Sequence, residues 1–342
     1  MTVALDATYS LGDDLSGVGI YSRELLHGLA AAHPDERFHF YYRPHRYLRS
    51  WPDALPPNAR RRLLAPPFGP RRAALFHGLN QRLPSGRLPR AVATFHDLFV
   101  LTGEYSTPEF RARFAAQARD AAARADRIIA VSAFTASQVV DLLGVEPAKV
   151  RVVHHGIRKL TLPPVPRENL ILHVGAIQKR KNLERLMEAF AAIDPAWTLV
   201  LAGSAGYGAA EILARIERSP ARARIRVTGY VSPAELAGWY ARASVFAFPS
   251  LDEGFGMPVL EAMAAGIPVI TSNRSSLPEV AGDAALLIDP ERTDALAAAL
   301  RDLTQNEDHR LEYIRRGLER AQFFTWEKTV RQTWDVYCEL FA

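Results

Sequence analysis

The sequence predicts an α/β protein with two Rossmann-like domains, each built around a parallel β-sheet. Short apolar runs alternate with helical patterns along the 342 residues. Runs such as 171–174 and 199–202 are continuous apolar segments, typical of strands covered by helices on both faces. The segment 158–168 contains three prolines and shows no period, so it predicts a hinge linker between the domains.

Twelve strands are predicted, six in each half of the chain. In the first half they are 3–7, 38–42, 74–77, 91–95, 127–131 and 150–154, and in the second 169–174, 198–202, 224–228, 245–249, 268–272 and 284–288. Because helical patterns separate them, the strands of each half should be parallel. The predicted domains are therefore 1–160 and 169–322.

Polar caps mark the starts of four predicted helices. They are Thr107 with Pro108 before 108–125, Ser132 before a helix ending at Gly144, Asn182 before 183–192, and a capping box of Ser232 and Glu235. Apolar side chains also share one face of a helix at 20–32, and 326–341 has an amphipathic helical pattern.

The composition is that of an ordinary globular protein, with 48% hydrophobic and 23% charged residues. This excludes disorder, collagen and coiled coil for the whole chain, and no window is apolar enough for a membrane-spanning helix. The start of the sequence lacks the basic and apolar regions of a signal peptide. With Cys338 as the single cysteine, neither an internal disulfide nor a cysteine zinc site is expected, which favours a cytoplasmic location.

Positive charge is concentrated in residues 43–90, which contain eleven arginines and one acid, Asp53. The segment shows no interleaved aromatic platform and no recognition-helix pattern, so we predict no nucleic-acid partner. Two interpretations stay open: loose surface arginines, or peripheral contact with an anionic membrane or a lipid-linked phosphate.

The strongest signal for a functional site is the segment 249–266, where a predicted strand, a glycine-rich turn and a helix follow each other. Gly254 and Gly256 would let the backbone approach a ligand closely. Pro258 is predicted at the first helical position and Gly266 after the last. The free N–H groups at such a helix start favour an anion such as a diphosphate.

Two carboxylates, Glu253 and Glu261, stand eight positions apart around this turn. A carboxylate accepts hydrogen bonds from paired hydroxyls, so both suit a sugar or a ribose. The block Glu-Gly-Phe-Gly-Met-Pro-Val-Leu-Glu-Ala-Met-Ala-Ala-Gly at 253–266 resembles the retaining glycosyltransferases of family 4. The resemblance runs nearly the full length of the chain and is weakest over 43–90.

This resemblance implies the GT-B fold, in which two Rossmann-like domains face a cleft and the C-terminal helix, 326–342, returns to the first domain. It places Glu253 beside the donor sugar and Glu261 on the ribose of the nucleotide. The other donor-binding residues that it implies in this turn are Gly254, Phe255, Gly256 and Met257.

A second signal is the basic loop that leads to Asn182. Cations beside helix-terminal amides suit a diphosphate, and arginine adds a bidentate fork. The resemblance assigns Arg180 and Lys181 to neutralising the leaving diphosphate, whereas a solvated basic loop is the alternative.

Other segments resemble the family more weakly. Gly17 and Gly19, in a loop predicted before helix 20–32, would meet the donor phosphates, although they also fit a purely structural loop. Gly203 ends a strand, and Val231 lies in the loop that would meet the nucleobase. His96 follows strand 91–95 and would lie near the sugar and the reacting centre, with Asp97 either orienting it or capping the next segment.

The reaction implied is transfer of a hexose from a nucleotide sugar to a hydroxyl of a glycan or lipid-linked acceptor in surface polysaccharide synthesis, with retention. GDP-mannose is the favoured donor, UDP-sugars stay open, and GDP or UDP would be released. No cofactor and no metal is expected, since the bases stabilise the leaving group and no Asp-x-Asp occurs. The expected location is cytoplasmic, at the inner face of the membrane.

Four other functions are weaker interpretations. A nucleotide-sugar epimerase would use the same architecture, and a phosphorylase would need a cofactor-binding lysine in a chain that has five lysines. A dehydrogenase is disfavoured by the long first loop. A non-catalytic nucleotide-sugar-binding scaffold is the alternative outside the enzymes.

Overall fold

The computed structural model describes residues 1–12, 15–66, 69–70, 72–158 and 160–342. They form two compact units: Met1–Thr102, Thr107–Gly156 and Phe324–Ala342 in the first, Gly103–Ser106 and Ile157–Phe323 in the second. Each unit is a parallel β-sheet with helices packed on it, so the predicted α/β class with Rossmann-like sheets is confirmed.

The sheet of the first unit has seven strands among the described residues. They are β1 (Thr2–Asp6), β2 (Arg37–Tyr42), β3 (Ala59–Leu63), β4 (Leu75–Gly78), β5 (Arg90–Phe95), β6 (Arg127–Ala130) and β7 (Val150–Val152). Their order across the sheet is β3-β2-β1-β4-β5-β6-β7, and all neighbours are parallel.

The second sheet has six strands in the described part of the chain. They are β8 (Leu170–Val174), β9 (Thr198–Ala202), β10 (Ile225–Gly229), β11 (Val245–Phe248), β12 (Val269–Ser272) and β13 (Leu286–Ile288). Their order is β10-β9-β8-β11-β12-β13, again all parallel. The order reverses between β1 and β4 in the first sheet and between β8 and β11 in the second. Open α/β sheets bind ligands at the carboxyl ends of the strands beside such a reversal.

The helices of the first unit are α1 (Gly17–Ala32), α2 (Pro44–Tyr47), α3 (Phe99–Thr102), α4 (Pro108–Arg124) and α5 (Ala133–Leu143). Those of the second are α6 (Leu183–Ala191), α7 (Ala209–Glu217), α8 (Pro233–Arg242), α9 (Met257–Ala264), α10 (Leu277–Ala281), α11 (Thr293–Gln305) and α12 (Glu307–Ala321). The last helix, α13 (Trp326–Cys338), belongs to the first unit, where Val330 packs against Gly28 of α1.

All twelve predicted strands are observed, with ends within two residues of the predicted ones. The strand β3 was not predicted, although it lies inside the arginine-rich segment 43–90. Among the described residues it pairs only with β2, which makes it an edge strand, and its Arg60 and Arg62 are exposed. An edge strand of this kind lacks the apolar run that marks the buried strands.

The helix caps at Thr107, Ser132 and Ser232 are confirmed, because each hydroxyl accepts a hydrogen bond from a backbone N–H of the first turn. Asn182 is the N-cap of α6, as predicted, but its side chain makes no capping hydrogen bond. Its amide instead donates to the carbonyls of Pro249 and Pro290, at 3.1 and 2.6 Å, and its backbone has φ of 58°.

The predicted glycine loop before the first helix ends earlier than expected. Ser16 is the N-cap of α1, and its hydroxyl accepts from the N–H of Gly19 at 3.3 Å. Gly17 and Gly19 therefore lie in the first turn of the helix. A side chain at Gly19 would meet Leu15 and the carbonyl of Tyr9, each at 2.9 Å, so close packing requires this glycine.

The proline-rich segment 158–168 belongs to the second unit and has no regular secondary structure among its described residues. Arg167 attaches it to that unit, since its guanidinium donates to the carbonyls of Tyr240, Ala243 and Ala265 at 2.6 to 2.7 Å.

Candidate active site

Two loops of the second unit meet where the strand order reverses. One follows β8 and carries the basic residues, and the other follows β11 and carries the glycine-rich turn. The N–H of Leu251 donates to the carbonyl of Arg180 at 2.8 Å, which joins the two loops directly. The fold therefore brings together the two strongest signals of the sequence.

Glu253 forms a cluster with Arg180 and Lys181, which we call the triad. Arg180 Nη1 lies 2.7 Å from Glu253 Oε2, and Lys181 Nζ lies 2.5 Å from Glu253 Oε1. The three side chains are only 7% to 12% exposed, so these ion pairs are largely shielded from water. Two cations and one carboxylate leave a net positive charge, which an incoming anion could neutralise.

The electrostatics of the triad keep Glu253 ionised. Burial alone would raise the pKa of this carboxyl, but Arg180 and Lys181 lower the pKa to about 2. Glu253 is thus a fixed acceptor at neutral pH. Any anion that binds Arg180 or Lys181 must compete with it or share their N–H groups.

The backbone around Glu253 is held by a third loop, which follows β12. Ser275 Oγ accepts from the N–H of Glu253 at 3.1 Å, and Ser276 Oγ lies 2.8 Å from the carbonyl oxygens of both Glu253 and Phe255, which share its single proton. Ser275 has a φ of 55°, uncommon for a residue with a side chain. Sequence reasoning missed both serines. Their position in the loop directly after a predicted strand of the same sheet was the signal that could have identified them.

An aromatic layer lies beneath Lys181. Its ammonium sits 4.5 Å from the ring centroid of Phe248, a cation–π contact, and His173 stacks on the same ring at 5.4 Å. His173 Nδ1 donates to the carbonyl of Ala247, and burial, with Lys181 nearby, lowers the pKa of His173 to about 4. A neutral histidine therefore packs beside the cation without repelling it.

The helix after the glycine-rich turn starts one residue earlier than predicted. Gly256 is the N-cap, so Met257 and not Pro258 holds the first helical position. Gly256 has φ of 107°, and a side chain there would meet Leu277 at 2.7 Å. Gly254 and Phe255, also in this turn, are buried.

Glu261, in α9, has a separate set of partners. Tyr240 donates its hydroxyl to Glu261 Oε2 at 2.9 Å, and Arg158 Nη2 lies 3.5 Å from Oε1. Burial raises the pKa of Glu261, while Arg158 and the Tyr240 hydrogen bond lower it, and the net shift is upward. Sequence reasoning missed both partners, because only the folded chain brings α8 and residue 158 to α9.

The glycines at the strand ends allow close backbone approach. The N–H of Gly175 donates to Ala202 and that of Gly203 to Gly229, so the ends of β8, β9 and β10 are joined. A side chain at Gly203 would come within 2.0 Å of the Gly175 carbonyl oxygen. Val231 lies just before α8 and is half-buried.

His96, in the first unit, is buried at the end of β5. Its Nε2 donates to the carbonyl of Leu79 at 2.9 Å, and its ring stacks on His155 and meets the edge of Tyr21. Burial lowers the pKa of His96 to about 4. The imidazole is therefore neutral at pH 7, which leaves its Nδ1 lone pair as an acceptor for a hydroxyl.

A buried hydrogen-bond chain supports this histidine. Tyr21 contacts Thr94 Oγ1 at 2.9 Å, Thr94 contacts His77 Nε2 at 2.8 Å, and His77 Nδ1 contacts the Tyr337 hydroxyl at 2.6 Å. The chain links α1, β5, β4 and α13, which fixes the Tyr21 ring against which His96 packs.

The described residues contain neither a metal-binding cluster nor a membrane-spanning helix. No group of three or more histidine, cysteine, aspartate or glutamate side chains is arranged to hold a metal ion. None of the helices there has the length and apolar character needed to cross a membrane.

The chain matches two family models. Glycosyltransferase family 4 matches residues 15–159, and glycosyl transferases group 1 matches residues 161–320. The O-antigen chain mannosyltransferase B of Escherichia coli is 34% identical over 281 residues, which are 77% of this chain and 74% of that protein. The chain belongs to glycosyltransferase family 4. The family predicted from the block at 253–266 is thus confirmed.

Solved structures of glycosyltransferases resemble the fold of this one. Sucrose-phosphate synthase from Thermosynechococcus elongatus has a TM-score of 0.80 at 23% identity, covering 99% of both chains. HepE from Anabaena, in complex with UDP and glucose, has a TM-score of 0.73 at 18% identity, covering 98% of this chain and 99% of that one. At these identities the similarity concerns the fold, and the predicted GT-B fold is confirmed.

Proposed function

We propose that this glycosyltransferase transfers a hexose from a nucleotide sugar to a hydroxyl group, with retention at the anomeric carbon. The observation that carries the proposal is the triad of Arg180, Lys181 and Glu253, which has a net positive charge at the reversal of the second sheet. A buried guanidinium and ammonium at this position suit the diphosphate of an activated sugar.

GDP-mannose is the donor that we favour. The Escherichia coli relative is named as a mannosyltransferase, which supports mannose as the sugar. The Anabaena structure holds UDP and glucose, so UDP-sugars are the second choice for the base and the sugar.

In the proposed reaction, negative charge develops on the diphosphate as its bond to the sugar breaks. Arg180 and Lys181 stabilise this charge in a site that is largely closed to water, together with the N-terminus of α9. These groups replace a metal ion, so neither a metal nor a cofactor enters the proposal. The oxygen of the acceptor hydroxyl bonds to the anomeric carbon from the face that the diphosphate leaves, and the departing phosphate accepts the hydroxyl proton. Attack from this face gives retention.

The two glutamates have different proposed roles. Glu253 lies next to the donor sugar, and it also orients the side chains of Arg180 and Lys181. Glu261 accepts hydrogen bonds from the ribose, and Tyr240 fixes the orientation of its carboxylate. His96 accepts a hydrogen bond from a sugar hydroxyl through Nδ1, since its Nε2 is held by Leu79.

The acceptor that we propose is a glycan or lipid-linked hydroxyl in surface polysaccharide synthesis, at the cytoplasmic face of the membrane. The O-antigen relative supports this class of product. Leu48 is 77% exposed and Trp51 is 61% exposed beside Arg46 and Arg49, a combination suited to an anionic membrane surface.

Thermal-shift screening with GDP-, UDP- and ADP-sugars should reveal the donor through an increase in Tm. With that donor, the single variants Arg180→Ala and Lys181→Ala should each lower the rate of transfer about 100-fold or more, because each removes a donor to the developing charge. NMR of the product should show the anomeric configuration of the donor. A mild loss of rate in both variants, or inversion, would refute the mechanism.

The two alternative functions, an epimerase and a non-catalytic scaffold, would give different experimental results. An epimerase would change the sugar of the donor without an acceptor, and NMR of the donor would detect that change. A scaffold would bind the donor without turnover, and hydrolysis or transfer with purified protein would exclude it.

A further inference from the structure

A cavity of about 720 Å³ lies in the first unit, in the arginine-rich part of the sequence. Its described walls are the chain after β3, the loop that joins β4 to β5, and the C-terminal half of α4. This volume lies within the range of small-molecule sites, roughly 300 to 1,000 Å³.

The charge of the cavity wall is positive. Four arginines line it, namely Arg43, Arg82, Arg87 and Arg124, against one acid, Asp120. Asp120 already pairs with Arg124 at 3.0 Å. Arg124 also donates to the carbonyls of Pro84 and Gly86, at 2.8 and 2.7 Å, so this arginine shapes the loop.

Two of the other three arginines, Arg82 and Arg87, have no acidic partner among the described residues. The guanidinium groups of Arg82 and Arg87 make no ion pair or hydrogen bond with the part of the chain that the structure describes. Arg43 Nη2 lies 3.4 Å from Asp6 Oδ2, a long contact, and its buried Nε has no hydrogen-bond partner. Arg43 therefore lines the cavity as a partly paired cation, whereas Arg82 and Arg87 offer guanidinium groups that no described residue pairs.

Apart from Ser85 and Gln117, the remaining side chains of the wall are apolar. Its aliphatic and proline side chains include Leu64, Pro66, Leu83 and Leu88. A ligand that fits both parts carries an anionic head and an apolar portion. A phosphate group matches the head, since arginine binds phosphate oxygens through parallel N–H donors.

We propose that this cavity binds the phosphate of a phosphorylated amphiphile, with Arg82 and Arg87 on the phosphate and the apolar wall on the adjoining hydrocarbon. If the bound amphiphile is the acceptor substrate, the inference rests on the proposed transferase function. The phosphate belongs either to a lipid-linked acceptor or to a lipid of the bilayer, and the two sources are separable by experiment.

Titration calorimetry with octyl phosphate, in the presence of saturating GDP or UDP, tests the site on the full chain. The wild-type protein should bind octyl phosphate in the cavity while the nucleotide occupies the donor site, and octyl glucoside should not compete. The double variant Arg82→Ala/Arg87→Ala should bind octyl phosphate about tenfold more weakly or worse, because it loses charge-assisted hydrogen bonds.

The matched control is Arg119→Ala/Arg331→Ala, which removes two exposed arginines of the same unit that do not line the cavity. It should bind octyl phosphate like the wild type. Equal losses in both double variants would overturn the inference, because they would show that only net charge matters.

Vesicles of phosphatidylcholine with phosphatidylglycerol distinguish the two sources. If the bilayer supplies the phosphate, octyl phosphate should displace the protein from these vesicles, and the Arg82→Ala/Arg87→Ala variant should bind them weakly. If a lipid-linked acceptor supplies it, octyl phosphate should inhibit transfer without displacing the protein. A wild-type protein that hydrolyses donor but does not bind octyl phosphate would refute the inference and leave the proposed function standing.

Discussion

At the scale of single residues, Glu253 has the most constrained environment in the candidate site. Two cations hold its carboxylate, and two serines hold the backbone around it. An ion pair this well buried is costly to break on one side only, because the remaining charges lose their partner. Glu253 therefore contributes to stability as well as to the proposed chemistry.

We predict that the loss of stability caused by Glu253→Gln depends on pH. The pKa of Glu253 is lowered from 4.5 to about 2 in the folded state. The unfolded chain therefore takes up a proton as the pH falls from about 4.5, which the folded chain does only near pH 2. The stability advantage of the wild type over Glu253→Gln should be complete above pH 4.5 and disappear as the pH approaches 2.

Urea unfolding of both proteins between pH 3 and 7 measures this difference. The control is Glu188→Gln, which changes an exposed glutamate of α6 and should match the wild type throughout. A difference between wild type and Glu253→Gln that does not change with pH would show that the carboxylate is not held by the two cations.

At the scale of elements, the ends of the parallel strands create the site. The N–H of Gly203 bonds to Gly229, and Gly203 also lies against the Gly175 carbonyl, so β8, β9 and β10 end in contact. The loop that carries Arg180 starts from this junction. Small residues at the strand ends thus determine where the basic loop lies.

We predict that Gly203→Ala disrupts this junction. Its added carbon would lie 2.0 Å from the Gly175 oxygen, and the φ of 158° disfavours a side chain. We expect a loss of about 2 kcal/mol or more of unfolding free energy, from overpacking and backbone strain, together with weaker nucleotide binding. Chemical denaturation and nucleotide titration measure the two effects.

Gly238→Ala is the control, because this glycine lies in the interior of α8 with no atom within 4 Å of an added carbon. It should be neutral or stabilise the protein by up to about 1 kcal/mol. If Gly203→Ala behaves like this control, the close approach of the strand ends contributes neither to stability nor to nucleotide binding.

The elements with strong local signals were predictable from the sequence. Buried strands such as β9 are continuous apolar runs, and Thr107 and Ser232 mark helix starts through short-range hydrogen bonds. The edge strand β3 was missed because its three consecutive arginines resemble a surface loop. Asn182 holds the predicted N-cap position, but the sequence does not show that its side chain bonds to Pro249 and Pro290 and not to the helix.

The candidate site was predictable only in part. The glycine-rich turn and basic loop identified Glu253, Arg180 and Lys181, since their chemistry is local in sequence. The partners Tyr240 and Arg158 of Glu261 were not visible, because distant segments come together only in the folded chain.

At the scale of the whole molecule, buried neutral histidines make stability dependent on pH. Burial lowers the pKa of His96 and His173 to about 4 and that of His77 to about 3, from 6.5. As the pH falls below about 6.5 the unfolded chain binds protons that the folded chain excludes. Stability should therefore decrease from pH 6.5 towards pH 4.

The variant His173→Gln tests whether a buried neutral histidine causes this pH dependence of stability. Removing one such group should reduce the slope of unfolding free energy against pH by about 1.4 kcal/mol per pH unit in this range. His45→Gln changes an exposed histidine and should leave the slope unchanged. Equal slopes in wild type and His173→Gln would mean that His173 is not kept neutral by the fold.

The triad as the diphosphate site is the claim on which the proposed reaction depends. A crystal structure of the protein with GDP-mannose, or with the donor found by screening, tests it directly. We predict diphosphate oxygens at about 3 Å from the Arg180 guanidinium and the Lys181 ammonium, the distance of a charge-assisted hydrogen bond. A nucleotide sugar bound with its diphosphate away from both side chains would contradict the claim.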